Sequence, residues 1–158
     1  MTSSNYGGGP EMSDELPPGW SSLTYCVLRA AAWYPDRSVP TGEWEKALHE
    51  HGGFEMHDAA RRFLAEFGGL EFRLKGPGRT MARSPFRIDP LLAKWDFEII
   101  DLQSEEVGTC LYPIGDADRG NFYLTMAADG AVHHGMDYVC LLADNGDKAL
   151  EELIEGRK

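Results

Sequence analysis

The stretch Arg61-Arg62-Phe63-Leu64-Ala65-Glu66-Phe67-Gly68-Gly69-Leu70-Glu71-Phe72-Arg73-Leu74 changes its hydrophobic period halfway. Ala60, Phe63, Leu64 and Phe67 recur at i, i+3, i+4 and i+7, one stripe of a helix. Leu70, Phe72 and Leu74 then alternate with Glu71 and Arg73, as one buried face of a strand does. Gly68-Gly69 stands between the two patterns. Glycine lacks a Cβ and so reaches the left-handed conformation that ends helices, and the pair predicts a helix end at Gly68. The chain before this boundary reads mainly as helix, and the chain after it mainly as strand.

Toward the N-terminus, Ser21 or Ser22 can cap a first helix reaching about Trp33, with Leu23, Val27 and Ala30 or Ala31 as its buried stripe. Tyr34-Pro35 ends it, because proline disfavours helical geometry in the residue before it. Thr41 is the expected cap of a second helix with Trp44, Ala47 and Leu48 inside, closed by Gly52-Gly53. A third helix covers about His57 to Phe67. Residues 1–18, rich in Ser, Gly, Pro and acids, carry no apolar period and read as a disordered tail, leaving 19–158 as one domain.

Toward the C-terminus, a first strand is expected at Leu70–Lys75. The basic run Lys75–Pro85 reads as a long, mobile loop. Phe86–Ile88 is a short strand and Leu91–Asp96 a helical turn. Phe97–Val107 fits a helix presenting Phe97, Ile100, Ser104 and Val107 on one side, with a strand at Phe97–Leu102 as the competing reading. Further strands are expected at Thr109–Ile114, with Pro113 implying an edge or an end, and at Asn121–Ala127. Ala128-Asp129-Gly130 makes a hairpin turn. Ala131–His134 and Asp137–Leu142 are strands, and Asp147–Glu155 is a closing helix stopped by Gly156. The layout is α+β: N-terminal helices packed on a mainly antiparallel β-sheet, with a closing C-terminal helix.

Charge is unevenly spread. The net charge is −11; residues 1–97 contribute −2 and residues 98–158 contribute −9. An acidic half repels phosphate backbones, which argues against nucleic acid as a direct ligand, and it attracts a basic partner. No apolar run approaches the roughly 20 residues that span a bilayer, so no membrane partner is expected. Cys26, Cys110 and Cys140 form no CxxC and each lies in an apolar run, so they read as reduced, buried thiols of a cytoplasmic protein.

No constellation of catalytic or metal-binding spacing emerges, and no cofactor is called for. His49 and His51 lie two apart and would point to different sides of a helix, so with His57 they read as solvated or capping residues. His133-His134 puts one ring on each face of a strand, and nothing local activates Cys110 or Cys140 as a nucleophile. Asp116 and Asp118 resemble a fragment of a calcium loop, but the glutamate that closes such a loop is missing, and a polar turn fits better. Trp20, Trp33, Trp44 and Trp95 suit a core with room for one exposed anchor.

Several segments together resemble the third group of SUKH-superfamily bacterial immunity proteins. They are Leu28-Arg29-Ala30-Ala31-Ala32-Trp33-Tyr34-Pro35-Asp36-Arg37 with Val39; Trp44; Leu64 to Leu70 with Phe67-Gly68-Gly69; Ile88-Asp89-Pro90; Leu111-Tyr112-Pro113-Ile114-Gly115; the Asp129-Gly130 hairpin; and Ala149 to Gly156. Two positions depart from that pattern, where Ala32 and Asp36 replace glycines. Ala32 implies a negative φ, while Asp36 tolerates turn geometry. The resemblance implies a SUKH-like fold in which Trp33, Pro35, Arg37, Phe67, Gly68, Gly69, Pro113 and Gly115 are scaffold. It implies a role in binding and neutralising a cognate toxin domain, often a nuclease or nucleic-acid deaminase, by stoichiometric contact. A regulatory scaffold of the same fold is the alternative, and a small hydrolase built on His133 or His134 a weaker one. Because such toxins carry basic clefts, the expected docking face is acidic: Asp101, Glu105, Glu106, Asp116, Asp118 and Asp137.

Overall fold

The computed structural model describes residues 19–156; the predicted tail at 1–18 lies outside them. Three helices come first: α1 (Ser22–Ala30), α2 (Gly42–Gly52) and α3 (Asp58–Phe67). Two short strands, β1 (Glu71–Phe72) and β2 (Phe86–Arg87), lead through a 3₁₀ turn at Pro90–Ala93 into α4 (Phe97–Val107). Then come β3 (Leu111–Ala117), β4 (Phe122–Ala127), β5 (Val132–Gly135) and β6 (Val139–Ala143), and α5 (Gly146–Glu155) closes the chain. The six strands form one antiparallel sheet in the order β1-β2-β3-β4-β5-β6. The α+β expectation holds, and the segment 97–107 is a helix.

Register divides the sheet into two faces. Tyr112, Met126 and Val132 share one, and Thr125 and His133 the other. Over the first, Phe63 of α3 and the Met126 methyl meet at Gly146. Toward the second, Asp96 at the start of α4 takes the Tyr123 hydroxyl. β3 is therefore buried along its whole length. Leu48, Leu64, Phe67, Ile88, Ile114, Leu124 and Ile154 fill the core, each buried apolar side chain contributing about 1.5–3 kcal/mol against exposure.

The opening stretch folds as a helix followed by a strand, with one correction. Gly68 has φ −61°, an ordinary value, and Gly69 carries the positive angle of +87°. Gly68 is glycine for space: a Cβ there would lie 2.4 Å from the Trp44 ring and 2.5 Å from the Leu64 carbonyl oxygen. Gly69 N–H then donates to Ile88 O at 2.7 Å, which starts the sheet. Arg37 serves as the C-terminal cap of α3. Its guanidinium donates to Glu66 O at 2.6 Å and Gly68 O at 2.9 Å, carbonyls that the helix leaves unpaired. Trp33 is buried and donates its indole N–H to Glu66 at 3.1 Å, so the Trp-Tyr-Pro-Asp-Arg corner clamps one helix end.

Other expectations change. Ala32 has φ +83°, against the negative value expected, because Ala32 and Trp33 N–H bond back to Arg29 O and Leu28 O in the turn closing α1. Asp36, at φ +67°, takes the turn geometry that aspartate tolerates. The buried side of α1 is Thr24 and Leu28, with Leu23 exposed, because Ser21 and Thr24 turn toward Glu151 and Glu155 of α5. Thr41 precedes α2 without a side-chain capping bond. β1 is confined to two residues because its partner β2 is no longer. The 75–85 loop is tied down rather than mobile: Arg79 and Thr80 N–H bond to Glu155 O and Gly156 O, and the Arg79 side chain pairs with Glu155 at 2.9 Å.

β3 runs past Pro113 to Ala117, so Pro113 does not end it. The missing N–H is tolerated because β2 reaches only Asp116 and Ala117, and a bulge lies between Pro113 and Gly115. All three cysteines are exposed instead of buried. Cys26 turns outward on α1, Cys110 precedes β3, and Cys140 lies on the outermost strand.

Candidate docking face

α4 presents two unlike sides. Ile100 and Gln103 point inward; Gln103 donates through Nε2 to Met136 O at 3.0 Å. Ser104 Oγ donates to Ile100 O and accepts the Leu111 N–H, both at 2.9 Å, which locks the helix end to the start of β3. Phe97 packs edge-on to Phe54, ring centroids 5.0 Å apart. The outward side carries Asp101, Leu102, Glu105 and Glu106, all exposed. Asp101 and Glu105 are four residues apart, one turn, so both carboxylates lie on the same side of the helix.

The acids expected at the face separate into two groups. Glu106 meets Asp137 in a crevice of about 150 Å³ between α4 and the β5–β6 connection, with Ile99, Leu102, Gln103 and Met136. Asp101 and Glu105 belong to the same helix. Asp116 and Asp118 do not join them. Asp116 is a strand residue, 5% exposed, bound by both oxygens to Arg87 at 3.2 and 2.7 Å. The polar turn begins only after it, because Asp116 pairs in register with Arg87 and Tyr123. Asp118 lies in the β3–β4 turn at φ +56° and accepts from Asn121 at 3.1 Å. That end carries a larger crevice, about 340 Å³, into which Arg73, Arg87 and Arg119 project beside the stacked Phe72 and Phe86 rings. Glu71 and Asp116 line it too, paired with Arg73 and Arg87, so its charges are mixed beside the apolar rings, unlike the α4 crevice, whose charged residues are Glu106 and Asp137.

Sequence reading missed the apolar part of the acidic face. Leu102 and Tyr138 are exposed next to Asp101 and Asp137 in the chain, and Leu141, on β6, is 56% exposed. Leu102 breaks the helical period of α4, which was the available signal. Leu141 sits in an apolar run and gave none. Trp95, just before α4, is 73% exposed, its ring meeting His51 edge-on and the Lys94 ammonium at 5.1 Å; it is the exposed tryptophan of the four.

The histidines settle elsewhere. His57 caps α3, its Nδ1 accepting the Ala60 N–H at 3.1 Å. His49 pairs with Glu55 at 3.4 Å. Among the described residues no three His, Cys, Asp or Glu side chains gather as metal ligands would. His133 is buried and His134 faces Cys140 across the β5–β6 ladder; neither of the two crevices includes them. Burial lowers the pKa of His133, with Asp129 opposing, and lowers that of His134, with His133 adding to it. A histidine depressed in the folded state binds fewer protons than when unfolded. Stability is therefore full above the unfolded value of 6.5 and falls as pH drops below it. Melting temperature should decline between about pH 7 and pH 5, and His133→Phe should flatten the decline. An equal slope in both proteins would assign the acid sensitivity to other groups.

No described helix is long and apolar enough to cross a membrane. Comparison with curated proteins and with solved structures gives no match. The family model of the SUKH-3 immunity proteins matches residues 20–156, a span that takes in every helix and strand from α1 to α5. The chain belongs to the SUKH-3 immunity protein family.

Proposed function

We propose that this protein binds a toxin domain that attacks nucleic acid and neutralises it, one to one, by covering its basic substrate cleft. The observation that carries this reading is the α4 side, where Asp101, Glu105, Glu106 and Asp137 surround exposed Leu102 near Tyr138. Acids bring a basic cleft in quickly, and the apolar residues supply what charge alone does not, a desolvated centre. Binding needs no catalytic group or cofactor from this chain. It acts where such a toxin acts, in the cytoplasm.

The test is rescue of a host expressing individual nuclease or deaminase toxin domains, followed by inhibition with purified proteins. Association with a neutralised toxin should slow about tenfold or more as salt rises through physiological strength, as steered encounters do. Asp101→Lys with Glu105→Lys should slow it further at low salt while leaving the melting temperature within about 2 °C, since both carboxylates are exposed surface groups. Association indifferent to both would place the contact on another face. Failure to rescue against any nucleic-acid-directed toxin would remove the reading itself.

A further inference from the structure

The sixth strand has an unoccupied side. β6 is the outermost strand of the sheet, and the ladder tells which of its main-chain groups face outward. Ala127 N–H donates to Ala131 O at 2.9 Å, so that opposed pair is a bonded one. Bonded and unbonded pairs alternate in antiparallel ladders. Met126–Val132 is therefore unbonded and Thr125–His133 bonded. Pro113 opposite Thr125 agrees, since a proline has no N–H to offer and Thr125 turns its own to β5. His133 thus spends its main chain on β4. Leu141, which faces His133, must direct its N–H and C=O away from β5, and so must Val139, opposite Gly135.

Among the described residues, neither Val139 nor Leu141 has a hydrogen bond outside the sheet. No lysine or proline guards the strand, and Cys140 and Leu141 are exposed. Such an edge templates another strand.

We propose that β6 takes up an extended, lysine- or arginine-bearing strand of the toxin domain, adding it as a seventh strand; this rests on the immunity reading. Charge selects the occupant. Exposed Asp137 and Asp144 bracket the strand, and Glu106 stands beside Asp137 in the α4 crevice. A second copy must set outward groups against outward groups, so it would pair antiparallel about Cys140, Val139 opposite Leu141, and bring Asp137 of each copy within one position of Asp144 of the other. Like charges gathered at both ends disfavour that pairing. A basic strand meets opposite charge at both ends.

Leu141→Pro deletes an outward N–H and leaves the β5–β6 bonds in place, while Leu141→Ala keeps the N–H and trims the side chain. In the free protein the Val139 and Leu141 amides should exchange rapidly. A short capped peptide alternating lysine and valine should protect both about tenfold or more, and the glutamate–valine counterpart should protect neither. Leu141→Pro should abolish protection and Leu141→Ala retain it. Should Leu141→Pro melt early, Asp137→Lys with Asp144→Lys replaces it and should reverse the peptide preference. Against a toxin that the wild type neutralises, Leu141→Pro should lose neutralisation.

Neutralisation unchanged by Leu141→Pro overturns the proposal and leaves the immunity reading standing. Peptide protection with no toxin neutralised keeps the edge and removes the immunity reading. Protected Leu141 in the free monomer, or a dimer that Leu141→Pro dissolves, shows the edge already filled and overturns the proposal.

Discussion

Gly68→Val should cost this protein roughly 3 kcal/mol or more of folding stability, and Gly69→Ala only about 1 kcal/mol. The two glycines are neighbours with opposite reasons for being glycine. Gly68 is buried at φ −61°, which any residue adopts, but an added Cβ meets the Trp44 ring and a main-chain oxygen at about 2.5 Å. Trp44 would have to leave its place between α2 and the end of α3. The Leu64 carbonyl cannot move without opening the last turn of α3, which Arg37 and Gly68 N–H close. Gly69 is exposed, at φ +87°, with nothing nearer than the Arg37 guanidinium at 3.9 Å. Its substitution costs only backbone strain, and Gly69→Asn should recover part of it. Urea denaturation of the three variants decides the matter. Equal losses at both positions would mean that backbone angle, and not space, governs this helix end.

Glu155→Ala should lose about 3 kcal/mol, a large share of the roughly 5–15 kcal/mol that holds such domains together. Glu155 is 1% exposed. Its carboxylate accepts from the Ser21 and Thr24 hydroxyls at the start of α1 and pairs with Arg79 of the 75–85 loop. One side chain near the end of α5 thereby joins three segments far apart in sequence. Alanine would leave the Thr24 hydroxyl buried without that acceptor and the loop without its ionic anchor. The Arg79 and Thr80 amides still hold Glu155 O and Gly156 O, so the loop should loosen rather than detach. A double-mutant cycle of Glu155→Ala with Thr24→Val should give a coupling of at least about 1 kcal/mol. Additive losses would show that Thr24 takes no part in holding the carboxylate, leaving it to Ser21 and Arg79.

Local chemistry alone determined the succession of elements, from the period change at Arg61–Leu74 to the Asp129-Gly130 hairpin and the closing helix. Periodicity and turn residues act over a few positions, and they are written in the chain. The order of these motifs was enough to suggest the family that residues 20–156 match. Tertiary contact decided the rest. Whether Gly68 answers to angle or to space depends on Trp44, twenty-four residues away. Asp116 looks like a turn acid in sequence, yet β2 and β3 bury it against Arg87. Cys26, Cys110 and Cys140 stand among apolar neighbours, but burial depends on which side of the chain meets another element, and all three are left exposed. Most of all, the outward main chain of β6 is invisible in sequence. An edge exists only once a sheet has an order, and which of its amides are free depends on a ladder counted across three other strands.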